Sequence, residues 1–209
     1  MSARHLIIMA KAPRLGRVKT RLGRDIGAVA ATRFYRRTLV DVTRRLSGDG
    51  RWRTWLGVSP DADIADAALW PTGPDRVAQG AGDLGRRMAR LLAAVPPGPA
   101  VLVGADIPAI GAEHIWQAFR ALGHSDAVFG PAADGGFWLV GLKRLRRAPD
   151  IFSGVRWSHP ETLADTLAQL PKGWRVAEAA TLSDVDDGGA FRAHQSRMFS
   201  DLGTRAKTR

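Results

Sequence analysis

The sequence predicts an α/β fold: a three-layer sandwich in which helices cover both faces of a mainly parallel, mixed central sheet. Short apolar runs rich in β-formers alternate with helical periodicities nearly throughout the chain. The runs Leu6–Ala10 and Val101–Gly104 are continuously apolar, which is typical of strands covered on both faces. A turn at Asp134–Gly136 precedes the apolar run Phe137–Leu142, which predicts one antiparallel hairpin in the sheet.

The elements of the N-terminal half follow in order from periodicity and from breakers. After the first strand and a basic loop, apolar residues at helical spacing predict a helix over Ile26–Leu46, closed by Ser and Gly residues. Trp52–Val58 predicts a second strand, which the following Pro60 stops. Residues 61–81 are rich in Asp, Pro and Gly and predict loops and short turns. Leu84–Val95 predicts a helix, which a Pro-rich segment ends.

The C-terminal half continues the alternation after the Val101–Gly104 strand. The predicted elements are a helix over Ala112–Leu122, strands over Ala127–Phe129 and Phe137–Leu142, a helix over Pro160–Leu170, a strand near Trp174–Ala177 and a terminal helix over Gly189–Leu202. The charged end Thr204–Arg209 predicts a solvated tail. The sequence contains neither an internal repeat nor a linker.

Composition bounds the class of protein. At 209 residues, 45% hydrophobic, the chain fits one domain over 1–209 and has no apolar run long enough for a membrane span. It has no cysteine, which excludes disulfides and thiolate chemistry and favours the cytoplasm. The net charge of +11 is spread through the sequence, so we do not predict a nucleic-acid surface. The oligomeric state is not predicted.

The segment from Lys11 to Leu22 lies between the first strand and its helix and carries five cations, Lys11, Arg14, Arg17, Lys19 and Arg21. In open α/β sheets ligands bind outside the carboxyl ends of the strands, so this segment predicts a phosphate site. It lacks the spacing of a P-loop. The alternative is a basic loop that is merely exposed.

Two acidic segments are candidates for a metal site. Asp106 follows the buried strand Val101–Gly104 and should face the same crevice as the basic segment. Mg²⁺ takes carboxylate and phosphate oxygens, so one or two aspartates beside a phosphate loop suffice. The loop Asp184–Gly189 offers a second carboxylate if it folds back beside Asp106. A helix cap or turn is the alternative for Asp106, and an ordinary helix cap would explain the Asp184–Gly189 loop equally well.

Three further segments are candidates for substrate contacts. The turn Asp134-Gly135-Gly136 allows close approach of a ligand, and Asp134 is a candidate base, although a plain hairpin has the same residues. Gly80–Gly85 matches the dinucleotide pattern, but we reject that interpretation because no convincing buried strand precedes it and it contains an acid. Asp83 and Arg87 are still candidates for base or ribose contacts, and Trp157 for ring stacking or for the core.

In order along the chain, these segments resemble one family. The motifs are Lys11-x-Pro13-x-x-Gly16-x-x-Lys19-Thr20-Arg21-Leu22, Gly82-Asp83-Leu84-Gly85-x-Arg87-Met88, Gly104-x-Asp106-x-Pro108, Gly130-Pro131-Ala132-x-Asp134-Gly135-Gly136 and Asp184-Val185-Asp186. The set resembles the bacterial DUF2064 group of GT-A-fold transferases, described as nucleotide-diphospho-sugar transferases. The resemblance covers most of the chain.

The resemblance implies roles for individual residues. Lys19 and Arg21, with Lys11 and Gly16 of the same loop, would bind phosphates, and Asp106 and Asp186 would hold Mg²⁺ or Mn²⁺. The turn Asp134–Gly136 would meet the acceptor or the sugar. This sequence departs from the family pattern at Ala105, Ile107 and Phe137, so the resemblance implies nothing for those three side chains.

The function predicted is metal-dependent transfer from a nucleotide-activated sugar to a small-molecule acceptor. One alternative is a nucleotidyltransferase, which joins an NTP to an acceptor phosphate and releases pyrophosphate. The other is a basic α/β module without catalytic activity. Glycosyl transfer releases a nucleotide instead of pyrophosphate, and the sequence lacks the G-x-G-[ST]-R loop of nucleotidyltransferases.

Overall fold

A computed structural model describes residues 3–144 and 149–206, with side chains described as far as residue 197. Within these residues, no helix is both long enough and apolar enough to cross a membrane. The predicted solvated tail lies partly in the last helix, and its residues 207–209 lie outside the described residues.

The described residues form a seven-stranded sheet with the strand order β3-β2-β1-β4-β6-β5-β7. All neighbouring strands are parallel except at β6, which is antiparallel to both β4 and β5. The strands are β1 (His5–Lys11), β2 (Arg53–Ser59), β3 (Asp75–Ala78), β4 (Ala100–Gly104), β5 (Ala127–Pro131), β6 (Phe137–Leu142) and β7 (Val176–Glu178). The predicted mainly parallel sheet with one hairpin is confirmed.

Helices lie on both faces of this sheet. They are α1 (Thr20–Ile26), α2 (Ala28–Ser47), α3 (Leu84–Ala94), α4 (Ala112–Ala121), α5 (Thr162–Ala168) and α6 (Gly188–Ala206), and a 3₁₀ turn lies at Asp61–Asp63. One core packs α2 and α4 against the sheet, through residues such as Leu39 and Ile115. A second core packs α3 against the other face, through residues such as Leu91 and Phe129. The result is the predicted three-layer sandwich.

A third, smaller cluster lies apart from these two cores. It contains the buried residues Leu22 of α1, Ala31 of α2 and Val185, with Phe34 and Phe191 packed against them. The ring of Phe34 meets the ring of Phe191 edge to face, with 5.2 Å between the ring centres. The backbone amide of Gly188 also donates to Asp25 Oδ2 over 2.7 Å. The start of α6 is therefore fixed to α1 and α2, far from it in sequence.

Two predicted elements differ from the structure. The helix predicted to begin at Ile26 is two helices, because Gly27 adopts φ 86° and breaks the axis, so the end of the basic segment is α1 and not a loop. Residues 61–81, predicted as loops, contain the strand β3, which pairs with β2. The strand was missed because it is only four residues long and none of them is fully buried, so it has no apolar run.

Candidate active site

The parallel strands bring the candidate residues to one edge of the sheet. β1 ends at Lys11, β4 ends two residues before Asp106, and the turn that holds Asp134 follows β5. Because parallel strands end at the same edge, these residues surround one cleft of about 630 Å³. Its lining includes, from the predicted set, Lys11, Lys19, Arg21, Arg87, Asp106, Asp134, Gly136, Trp157 and Asp186.

At one end of the cleft, three carboxylates surround the ammonium group of Lys19. Lys19 Nζ lies 2.9 Å from Asp106 Oδ2, 3.0 Å from Asp184 Oδ2 and 2.6 Å from Asp186 Oδ1. The Lys19 side chain is only 4% exposed, whereas each aspartate is partly open to the cleft. The site therefore combines three acids and one buried cation, and this group is called the aspartate triad below.

Local structure explains how residues distant in sequence meet there. Lys19 adopts a left-handed conformation (φ 44°) directly before α1, and its carbonyl accepts from the amide of Gly23. Val185 points into the third cluster, so the side chains on either side of it, Asp184 and Asp186, point the other way, towards Lys19. Gly104 leaves room for Asp106, since a Cβ there would lie 2.9 Å from Asp106 Oδ1.

Burial and charge act against each other on the titration of this group. Burial by itself would lower the pKa of Lys19, but the carboxylates of the triad outweigh it and raise that pKa well above its ordinary value. Burial raises the pKa of Asp184 to about 6, against the attraction of Lys19. Burial by itself would also raise the pKa of Asp186, but the hydrogen bond and the charge of Lys19 outweigh burial and hold that pKa below its ordinary value.

The triad has the composition of a site for a hard cation. One carboxylate oxygen from each aspartate can be chosen so that all three lie within 4.8 Å of one another. Mg²⁺ and Mn²⁺ prefer oxygen ligands of this kind. The Lys19 ammonium lies among the same carboxylates, so the site accommodates a positive charge in its present shape.

The other cations of the basic segment are divided between the cleft and the rest of the molecule. Lys11, Arg17 and Arg21 line the cleft, and Arg21 Nη1 lies 3.9 Å from Asp186 Oδ2. Arg14 instead forms two hydrogen bonds with Asp63, of 2.8 and 2.6 Å. Gly16 adopts a left-handed turn (φ 69°) and is not among the residues that line the cleft.

The opposite wall is formed by α3, by the turn after β5 and by the segment before α5. Arg87 lines the cleft and donates to the carbonyl of Gly82. Asp134 accepts from the amide of Gly136, with 3.0 Å between Oδ1 and N. Trp157 is half-buried and packs edge to face on Phe137, so it is both part of the core and part of the wall. Gly135 is not among the residues that line the cleft.

The Gly80–Gly85 segment follows a strand, β3, that the sequence did not reveal. None of the four residues of β3 is buried, so the expectation that no buried strand precedes this segment is confirmed. The glycines make room for protein side chains, since a Cβ at Gly80 would collide with the guanidinium of Arg90. Asp83 caps α3 by accepting from the amide of Arg86, and it lies outside the cleft lining.

Sequence reasoning gave no individual role to three residues of the site. Asp184 lies in the candidate loop Asp184–Gly189 and completes the triad, and the Asp-Val-Asp pattern was the available signal, because alternate side chains share one face. Gln79 is buried beneath the cleft and donates to the carbonyls of Ala10 and Gly57, over 2.8 and 2.9 Å. Tyr35 Oη accepts from the amide of Lys11 and donates to its carbonyl. Nothing in the spacing of Gln79 or Tyr35 indicates these roles.

Strand order and layers together define the class of protein: the fold is that of the GT-A-like nucleotide-diphospho-sugar transferases. The family model described as "Uncharacterized protein conserved in bacteria (DUF2064)" matches residues 42–159, more than half of the chain. The chain therefore belongs to the DUF2064 family. Among curated proteins, none matches it.

Solved structures agree with this assignment. A protein from Desulfovibrio desulfuricans G20, provisionally described as a nucleotide-diphospho-sugar transferase, is 30% identical with a TM-score of 0.79, over 90% of this chain and 84% of that one. The 4-diphosphocytidyl-2C-methyl-D-erythritol synthase of Anaerococcus prevotii DSM 20548 (13% identity, TM-score 0.59) covers 94% and 98% of the two chains.

A third relative is the glucosyl-3-phosphoglycerate synthase of Mycobacterium tuberculosis, solved with Mn²⁺, UDP and glucosyl-3-phosphoglycerate. It is 13% identical with a TM-score of 0.52, over 87% of this chain and 70% of that one. At these identities the last two structures show a common fold and nothing more.

Proposed function

We propose that this protein is a metal-dependent transferase that takes a sugar from a nucleotide-diphospho-sugar and passes it to a small-molecule acceptor. The observation that carries the proposal is the aspartate triad, which faces a cleft that is also lined by Lys11, Arg17 and Arg21. A diphosphate needs cations on its oxygens, and a divalent metal needs anionic oxygens. One cleft here offers both.

Different residues of the cleft would bind the metal, the phosphates and the acceptor. Asp106, Asp184 and Asp186 would hold Mg²⁺ or Mn²⁺, and Lys11, Lys19 and Arg21 would contact the phosphates. When bound, the metal neutralises the diphosphate and stabilises the charge that develops on the leaving oxygen. On the other wall Asp134 would accept the proton of the acceptor hydroxyl, with Gly135 and Gly136 shaping its turn. Arg87 and Trp157 lie where they can contact the nucleoside or the sugar, while Asp83 supports this wall as a helix cap.

A thermal-shift panel with UDP-, GDP-, dTDP- and ADP-sugars and with free NTPs, each with and without Mn²⁺, tests this proposal. A ligand that binds only the folded state raises its stability, by about 2.7 kcal/mol at a hundred times the dissociation constant. We expect one nucleotide-sugar to raise the melting temperature only when Mn²⁺ is present.

Asp106→Asn is the informative variant and Asp41→Asn its matched control. Asp106→Asn removes one carboxylate from the triad but leaves Lys19 paired with the other two, so we expect the metal-dependent shift to disappear. Asp41 lies on the surface of α2, where it pairs only with Arg37 and Arg44 in the described residues, and its variant should keep the shift.

The same panel separates the alternatives. A metal-dependent shift with an NTP and with none of the sugars would favour a nucleotidyltransferase. A protein that none of these ligands stabilises, with or without metal, would contradict both transferase proposals and leave a binding module without catalytic activity. The cytoplasmic location stays a prediction.

A further inference from the structure

The most unusual feature of the cleft is that a lysine lies where a metal ligand set would place its ion. Lys19 Nζ is within 3.0 Å of one oxygen of each aspartate in the triad. A divalent ion that used the same carboxylates would lie close to this ammonium, and two positive charges so near each other repel strongly. The lysine and the metal therefore compete for one place.

We infer that Lys19 is a resident cation which a divalent metal must displace, and that it leaves the triad for the phosphates of the nucleotide. This inference rests on the proposed function. Lys19 has a long, flexible side chain. The arginines two residues before and after it, Arg17 and Arg21, line the same cleft. The metal and the diphosphate consequently favour each other's binding. Metal binding releases the Lys19 ammonium for the phosphates, and phosphate binding releases the carboxylates for the metal.

The competition has a measurable size. If the state with Lys19 in the triad holds about 90% of the molecules or more, only about a tenth are free to take metal. The dissociation constant for metal alone is then about tenfold weaker than that of the unobstructed site. The Lys19 side chain is only 4% exposed, which agrees with a state in which its ammonium lies among the three carboxylates. A phosphate that takes the ammonium releases the triad, which is positive coupling between two ligands.

The test measures binding of Mn²⁺ alone, from the loss of the free-ion signal in electron paramagnetic resonance, with no nucleotide and no turnover. We expect Lys19→Met to bind Mn²⁺ about tenfold more tightly than the wild type or better, since the competing charge is gone. Lys19→Arg keeps the charge and should bind Mn²⁺ as weakly as the wild type. Arg24→Met, which removes an exposed charge from the same helix α1, should stay within about twofold of the wild type.

A second measurement follows the other half of the coupling. Mn²⁺–pyrophosphate should raise the melting temperature of the wild type more than that of Lys19→Met, because the variant has lost a cation that the phosphate attracts. If Lys19→Met does not fold, Lys19→Gln is measured in its place under the same criterion.

The outcomes separate this inference from the proposed function. Unchanged Mn²⁺ affinity in Lys19→Met, in a protein whose wild type binds nucleotide-sugar with metal, overturns the inference and leaves the function standing. Tighter Mn²⁺ binding in Lys19→Met, in a protein that no nucleotide stabilises, supports the competition and contradicts the function. Equal metal affinity in Lys19→Met and Lys19→Arg would show that charge is not the cause and also overturns the inference.

Discussion

Replacing Gly135 by alanine tests how tightly the turn after β5 is fixed to the segment before α5. Gly135 has φ +84°, and a Cβ at this position would lie 2.0 Å from the carbonyl oxygen of Pro160. The amide of Leu163 donates to the Gly135 carbonyl over 3.0 Å, so the two segments cannot separate without breaking that bond. The added methyl group must therefore displace backbone atoms.

Two costs combine in this variant. A residue with a Cβ loses about 1–2 kcal/mol in the left-handed region, and forcing an extra methyl group into packed surroundings costs about 1–3 kcal/mol. We expect Gly135→Ala to lower the free energy of unfolding by about 2–5 kcal/mol, measured by urea denaturation followed by circular dichroism. Because the turn carries Asp134, the variant should also lose affinity for the acceptor of the proposed reaction.

Gly136→Ala is the matched control. Its backbone lies outside the left-handed region, and the atoms nearest to a Cβ there belong to the Asp134 side chain, with Oδ1 3.2 Å away, so a small shift of that side chain relieves the contact. We expect a loss below about 1 kcal/mol. If Gly135→Ala proves no more costly than Gly136→Ala, the turn is not held against Pro160 and the reasoning is refuted.

Two further predictions concern buried polar groups. Gln79→Leu removes two buried hydrogen bonds, to the carbonyls of Ala10 and Gly57, and each is worth about 0.5–1.5 kcal/mol. We expect a loss of about 1–3 kcal/mol in urea denaturation, and a loss below about 0.5 kcal/mol would contradict a stabilising role for the amide. Burial, together with the charges of Arg144 and Arg53, lowers the pKa of His5 from 6.5. The unfolded chain then binds a proton that the folded chain does not, so the free energy of unfolding should fall as the pH drops below about 6.5. His5→Asn should show a smaller fall between about pH 7 and pH 5, and equal slopes would contradict a depressed pKa.

The sequence was sufficient for the layers and for most of the strands because their signals are local. Runs such as Leu6–Ala10 are apolar at every position, and the structure buries all of them except Met9, which is half-buried. The position of Asp106 could be predicted for the same reason, since a residue that leaves a buried parallel strand has one edge of the sheet to face.

The parts that escaped prediction depend on contacts distant in sequence. Lys19 lies 165 and 167 residues from its hydrogen-bond partners Asp184 and Asp186, and no periodicity records that distance. The sequence therefore indicated a lysine for phosphate and aspartates for metal, but not that the lysine lies among the aspartates. β3 was missed because its pairing with β2, and not its own hydrophobicity, makes it a strand.

The third cluster should open as a unit of its own, separately from the two large cores on the sheet. Leu22 lies near Lys19 in sequence and Val185 lies between Asp184 and Asp186, and with Ala31 they form a cluster separate from the two large cores on the sheet. Small peripheral clusters of this kind open at a lower free energy than the body of a protein. Amide exchange should accordingly show α1 and the start of α6 opening as one unit while the sheet stays protected. A substitution such as Val185→Ala should then disorder the proposed metal site in a protein whose global melting temperature is nearly unchanged, and a loss of the proposed activity in such a variant would reflect local unfolding and not a change in chemistry.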